Sequence, residues 1–319
     1  MSRNYGLGSR DMSSAGRIAL NKAADKKEMS FSTADTVADR WSQFVIYAKE
    51  NGVGRMERIT PELVTQYGKL LAEKVTNREQ NIQEREQLAA STAQNLLSSV
   101  NTVMHLVRAD WKSISPTKTC LISPRSMIRT TVPAGLDRRV SALAISALKE
   151  SGLPRAAIVA ELARELGLRS KEASLLDANK SLREAGRNGS IRVSDGTKGG
   201  RVRELTLTQQ QISVLEKAAA IQGANRSIMP ANLDWHKFRS TELKLGRQVL
   251  QASGIRGYHD QRAAYACDRY KALTGQPAPV CGGKILDREA DMAARYQISA
   301  ELGHGRADVA SSYIGGRGE

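Results

Sequence analysis

The sequence predicts a mainly α-helical fold with one small antiparallel β-sheet, arranged as two domains. Apolar residues recur at helical spacing through most of the 319 residues. Strand-like alternation is confined to two short runs, Ile191-Arg192-Val193 and Arg201 to Leu207, flanking a glycine-containing turn. Pro116, Pro124, Pro133 and Gly135 punctuate residues 114–135, the composition of a linker.

Residues 1–29 are rich in Gly, Ser, Lys and Arg without sustained periodicity, and are expected to form a basic tail suited to ordering on a polyanion. A helical domain is expected over residues 30–113. Val37, Trp41, Phe44, Val45 and Ala48 share one helical face, and Asn51-Gly52 closes it. Thr60-Pro61-Glu62 reads as a helix start, with Thr as N-cap and Pro in the first turn, and Val64, Tyr67, Leu70 and Leu71 line one side. A charged helical stretch is expected from Asn77 to Gln87, then an amphipathic helix from Ser91 to Val107 with Leu96, Leu97, Val100, Val103, Met104 and Val107 inward.

The larger domain is expected over residues 136–319. Val140, Leu143, Ala144, Ala147 and Leu148 make one helical face. Pro154 opens the next helix and Gly167 is placed to close it. Another helix follows Arg169. The two strand runs form a hairpin with Lys198 near its tip, and the remainder reads as helical except around Gly275 to Gly283.

The formal charge of +15 suits a polyanionic partner. Aromatic residues make up 4% of the chain, too few for base-stacking capture of single strands, so Lys and Arg gripping a duplex backbone is the better fit. The cysteines, Cys120, Cys267 and Cys281, show neither a disulfide framework nor zinc spacing, and no cofactor or metal is called for. No apolar run reaches transmembrane length, and the first residues lack the apolar core of a signal peptide. A reducing cytoplasm is the simplest location, with nucleoid association in a bacterium.

Arg169, Lys198, His259, Arg262, His304 and Tyr313 stand in that order over the C-terminal half and bring together cations, imidazoles and a phenol. Displacement at a DNA phosphodiester needs a nucleophile, cations on the non-bridging oxygens, and an acid for the leaving oxygen. With no metal-ligand cluster in the sequence, arginines are the natural cations, because the planar guanidinium grips two phosphate oxygens and stays protonated. His259 and Arg262 are three residues apart on an expected helix and face one way. Tyr313 is the candidate nucleophile; a phenol needs a base and nearby cations to react at neutral pH. Tyr258, Tyr265, Tyr270 and Tyr296 are weaker candidates by position.

The ordered set of Arg169, Lys198, His259-Asp260-Gln261-Arg262, Leu302-Gly303-His304 and Tyr313, nine residues later, resembles the active site of the tyrosine recombinases, or phage-type integrases. The resemblance implies a helical, SAM-like core-binding domain plus a catalytic domain, closing as a C-shaped clamp on duplex DNA. It implies strand exchange through a 3′-phosphotyrosine and a Holliday junction in a homo-tetramer, without ATP or metal. Arg169 and Arg262 would hold the scissile phosphate, His259 would hold it or help move the tyrosine proton, and His304 would bond a non-bridging oxygen. Lys198 would protonate the departing 5′-hydroxyl, and Glu172 would buttress Arg169.

Two features depart from compact relatives: an interval from Arg262 to His304 about twenty residues longer, and a segment of six residues after Tyr313 where many relatives carry one that docks on a neighbour. The resemblance favours an integrase of a mobile element acting at attachment sites, with accessory DNA-bending or directionality factors. Dimer resolution of the Xer kind, supercoil relaxation, and a non-catalytic DNA-binding protein keeping the fold stay open as alternatives.

Overall fold

The computed structural model describes residues 3–317, which form two compact units divided between Arg125 and Ser126. The first unit holds four helices among the described residues: α1 (Met12–Asp25), α2 (Phe31–Glu50), α3 (Pro61–Glu79) and α4 (Ala90–Val107). The expected faces of α2 and α4 are buried around Trp41 and Phe44. Thr60 caps α3 by accepting from the Leu63 N–H at 3.3 Å.

Three expectations for this unit are corrected. The supposed basic tail carries α1, capped by Asp11, whose carboxylate accepts from the Ser14 N–H at 2.9 Å. Met12, Ala15, Gly16, Leu20 and Ala23 form its buried face. The stripe is mostly Ala and Gly, so it carries little apolar signal, yet its smallness admits the Trp41 indole, which donates to the Met12 carbonyl at 2.8 Å. The charged stretch Asn77 to Gln87 is not a helix beyond Glu79. Asn81 turns with φ +55° and the chain folds back, the Leu88 N–H donating to Lys74 O at 3.0 Å. The first unit extends into the expected linker, because Cys120 and Ile122 are each 1% exposed within the first core. Prolines mark that segment as irregular; they do not show that its apolar residues pack inward.

The second unit contains α5 (Arg138–Glu150), α6 (Pro154–Leu166), α7 (Ser170–Leu175), α8 (Ala178–Asn188), β1 (Ser190–Val193), β2 (Arg203–Thr206), α9 (Gln209–Gln222), α10 (Trp235–Ser240), α11 (Glu242–Ala252), α12 (Tyr258–Thr274), α13 (Arg288–Glu301) and α14 (Ser311–Ile314). The strands pair antiparallel, with Ile191 opposite Leu205 and Val193 opposite Arg203. Helix α6 is the centre of the unit and packs on α5, α7, α9 and α12. Its buried residues include Ala156, Ala157, Ala160 and Ala163, whose small side chains let neighbouring helices approach closely. A second apolar cluster joins α12, α13 and α14. Leu143, expected inward on α5, is 62% exposed. Ser141 takes an inward position, paired with the Gln261 amide on α12 at 3.1 and 3.0 Å. A buried polar pair on facing helices is invisible to a hydrophobic period.

Candidate active site

Arg169, Arg262, His259, His304 and Tyr313 converge in the second unit, each placed by an identifiable local device. Gly167 ends α6 in the left-handed region at φ +64°, where a Cβ would lie 2.5 Å from the Tyr265 ring. The chain thus turns into α7 with Arg169 as its N-cap. His304 follows a Schellman end to α13: Gly303 takes φ +65°, its N–H donates to Ala300 O at 2.8 Å, and the His304 N–H donates to Ser299 O at 2.7 Å. His259 and Arg262 lie on the first turns of α12, and Tyr313 on the short α14.

The Tyr313 hydroxyl is the meeting point. It accepts from Arg262 Nε at 3.3 Å and lies 3.2 Å from His304 Nε2. The same His304 nitrogen is 3.1 Å from Arg169 Nη2. A guanidinium only donates, so Nε2 is the unprotonated nitrogen, and the Tyr313 hydroxyl donates toward the same lone pair. The Arg262 guanidinium also sits 5.4 Å from the Tyr313 ring centroid. The His259 and Tyr313 ring centroids are 5.3 Å apart, without a hydrogen bond between them in this arrangement. Lys198 is exposed on the loop joining β1 to β2 and makes no hydrogen bond to the other five.

Arg262 is fully buried, its remaining donors bonded to Gly167 O and to Leu302 O, the latter at 2.5 Å. Beneath the arginines lies Glu172, its side chain fully buried. It accepts from the Arg169 N–H at 2.8 Å and Arg169 Nη1 at 2.6 Å, and Arg262 Nη1 is 3.6 Å away. Burial alone would raise its pKa, but the hydrogen bonds and charge of Arg203, with Arg169 and Arg262, hold it down to about 2.

Arg203 is absent from the sequence-derived set. It grips Glu172 with two nitrogens at 3.1 and 2.7 Å and donates to Glu301 O at 2.7 Å. The available signal was a charged residue at an inward-facing strand position, alternating with the buried Leu205. Asp260 also lies outside that set. Its buried carboxylate pairs with Arg129 and accepts from the Ala134 N–H at 3.0 Å, tying residues 129–134 to the start of α12.

Both histidines are held neutral. The His304 pKa is pushed down to about 4 by burial, then by Arg169, Arg262, Lys198 and Arg203. The His259 pKa is also pushed down to about 4, by burial and by Arg262, Arg129 and Arg169. The outer edge of His259 stays open to solvent, so the three cations are its firmer cause. A histidine whose folded pKa is depressed contributes stability above its ordinary value of 6.5, and that contribution is lost as pH falls toward about 4. His304 in the DNA-free protein should therefore show no NMR titration between about pH 8 and 5.5. A midpoint near its ordinary value would contradict the cationic surround.

No helix among the described residues is long and apolar enough to cross a membrane, and none of their His, Cys, Asp and Glu side chains form a group of three able to hold a metal ion. Residues 127–268 match the family model described as Integrase. No curated protein matches the chain in sequence. Its fold is similar to that of a lambda integrase tetramer bound to a Holliday junction, at 16% identity and TM-score 0.57, covering 96% of this chain and 78% of that one. It is similar to XerH site-specific recombinase bound to palindromic difH substrate, at 16% identity and TM-score 0.55, covering 94% and 80%. The Tn1549 transposon integrase in complex with transposon right end DNA shares 9% identity at TM-score 0.54, covering 94% and 95%. An integrase family model thus matches residues 127–268, and over nearly its whole length the chain has a fold similar to that of these integrases and of the XerH recombinase.

Proposed function

We propose that the chain is a site-specific recombinase that cuts and rejoins duplex DNA through a 3′-phosphotyrosine at Tyr313. The observation that carries the reading is the Tyr313 hydroxyl held between the Arg262 cation and the His304 lone pair, with Arg169 beside them. The arrangement supports a balanced step. Tyr313 Oη attacks phosphorus while its proton passes to His304 Nε2. Arg169 and Arg262 neutralise charge on the non-bridging oxygens, and the bond to the 5′ oxygen breaks. That oxygen takes its proton from the Lys198 ammonium, which the β1–β2 loop leaves free to reach a bound strand. Reversal, with a 5′-hydroxyl of a second strand as nucleophile, rejoins the DNA.

His304 is assigned the proton-accepting role, since it, not His259, lies within hydrogen-bond reach of the phenol. His259, at the open edge, is assigned to the phosphate. Glu172 and Arg203 orient Arg169 and Arg262 without touching substrate. The net charge of +15 supports duplex DNA as the partner. Assembly as a tetramer through a Holliday junction, and integration of a mobile element, are proposed on the likeness to the lambda and Tn1549 integrases. The likeness to XerH keeps a resolution role as the second reading.

The test is covalent capture. The protein is incubated with a pool of nicked duplexes carrying randomised cores, then denatured, and protein-linked DNA is recovered and its peptide mapped. Linkage at Tyr313 is expected; no linkage, or linkage at another tyrosine, would overturn the reading. On a duplex selected this way, Arg169→Ala should lower single-turnover cleavage by about 10²–10³-fold, with far less change in affinity. Equal losses in both would make Arg169 a phosphate-binding residue only.

A further inference from the structure

The residue that carries the nucleophile sits on a helix too short to place itself. Helix α14 spans Ser311–Ile314, a single turn, and one turn fixes several dihedrals for very few hydrogen bonds. Its position must come from outside. Directly behind it Gly315 takes φ +91°, where a Cβ would lie 2.7 Å from the Val280 nitrogen.

One guanidinium fastens both ends of that turn. Arg295, on α13, directs Nη1 at Ser311 Oγ, 3.0 Å away, and at the Gly315 carbonyl, 3.1 Å away. Its Nη2 reaches the Gly316 carbonyl at 3.4 Å. These contacts fall two residues before Tyr313 and two and three residues after it. Arg295 does not touch the Tyr313 ring or hydroxyl, so its influence on the phenol passes through the backbone of α14.

Arg295 is itself held. Asp291, one turn earlier on α13, accepts from Arg295 Nε at 2.9 and 3.1 Å and from the Tyr270 hydroxyl at 2.8 Å. The two side chains are 2% and 1% exposed. Arg317 adds a further contact to Asp291 at 2.9 Å from a half-exposed position. A buried ion pair rarely adds net stability over a packed apolar pair. What a guanidinium adds is direction: its rigid fork bonds three acceptors at set angles, which a lysine ammonium on a flexible stem does not reproduce.

We propose that Arg295, oriented by Asp291, is the positioning residue for the Tyr313 nucleophile. It sets where the phenol stands relative to the arginines that hold the phosphate. The inference rests on the function proposed above and concerns only attack by Tyr313, not binding or activation of the phosphate.

The experiment compares Arg295→Lys, which keeps the buried charge but loses the fork, and Ser311→Ala, which removes one tether, with the unsubstituted chain on a captured nicked duplex. Arg295→Lys should slow adduct formation by about 10²-fold, the scale expected for a nucleophile displaced by roughly 1 Å, and Ser311→Ala should slow it less. DNA affinity should not change. A second arm places Arg295→Lys in a Tyr313→Phe background and supplies hydrogen peroxide, whose anion can attack the held phosphate from solution. There the added substitution should leave peroxide cleavage unchanged. Adduct formation at the unsubstituted rate in Arg295→Lys would overturn the inference while leaving the proposed function standing. Peroxide cleavage falling in parallel with adduct formation would also overturn it, because Arg295 would then support the whole site. An unsubstituted chain that forms no adduct at Tyr313 overturns the function and this inference with it.

Discussion

Tyr313→Phe is expected to abolish the covalent protein–DNA adduct while DNA binding persists. The substitution removes one oxygen and the two contacts it makes, to Arg262 Nε at 3.3 Å and His304 Nε2 at 3.2 Å. The ring keeps its place in the apolar cluster with α12 and α13 and its position against the Arg262 guanidinium. Loss of those bonds should cost about 0.5–1.5 kcal/mol each in stability, too little to unfold the unit. Affinity should survive because it comes mainly from Lys and Arg on phosphates. Chemistry should not, because Phe has no nucleophilic atom, and Tyr258, Tyr265 and Tyr270 are poorly placed to stand in: they are buried with their hydroxyls bonded to Leu243 O, Glu301 and Asp291. Denaturing electrophoresis on a captured duplex reads the adduct, and a mobility shift reads binding. An adduct surviving in Tyr313→Phe would remove Tyr313 from the mechanism.

Glu172→Gln is expected to be the costliest single substitution for the stability of the second unit. Among the described residues the carboxylate is the one anion paired with Arg169, Arg203 and Arg262, with contacts of 2.6, 2.7 and 3.6 Å. Gln retains the shape, but its amide turns a donor toward groups that only donate, and the cations lose their counter-charge. Removing one partner of a buried ion pair costs about 3–5 kcal/mol. For a unit of this size that is a fall of roughly 6–20 °C in melting temperature. Acid should mimic the substitution. The Glu172 pKa is held down to about 2 from its ordinary 4.5, so its contribution is complete above about 4.5 and is lost as pH falls toward about 2. The melting gap between the two proteins should be wide at neutral pH and close on acidification. A constant gap across that range would show that Glu172 acts through packing and not through charge. Cleavage should fall as well, since Arg169 and Arg262 lose the group that orients them.

Much of the fold could be read from residue order because most of it is amphipathic helix. Trp41, Phe44 and Ala48 announce α2, and Thr60-Pro61 announces the start of α3 by capping chemistry. Local signals failed where burial was achieved by small or polar groups. Helix α1 hid behind Ala and Gly, and the inward face of α5 uses Ser141 where periodicity favoured Leu143. Cys120 and Ile122 sit in a proline-marked segment yet pack in the first core, because packing there depends on where distant helices lie.

The sequence by itself determined the helical class, the hairpin, and the order in which the candidate residue types stand, because caps, turns and periodicity are local properties of the chain. Only the tertiary structure decided which of those residues meet. Arg169 and His304 stand 135 residues apart, and Arg262 and Tyr313 51, and they touch because α7, α12, α13 and α14 pack together. The structure also decided that His304 rather than His259 reaches the phenol, that Arg203 shares Glu172, and that Arg295 grips both ends of α14. Buried charge carries no periodic signature. An inward Arg and a surface Arg read alike along the chain, and only the position of the opposing carboxylate tells them apart.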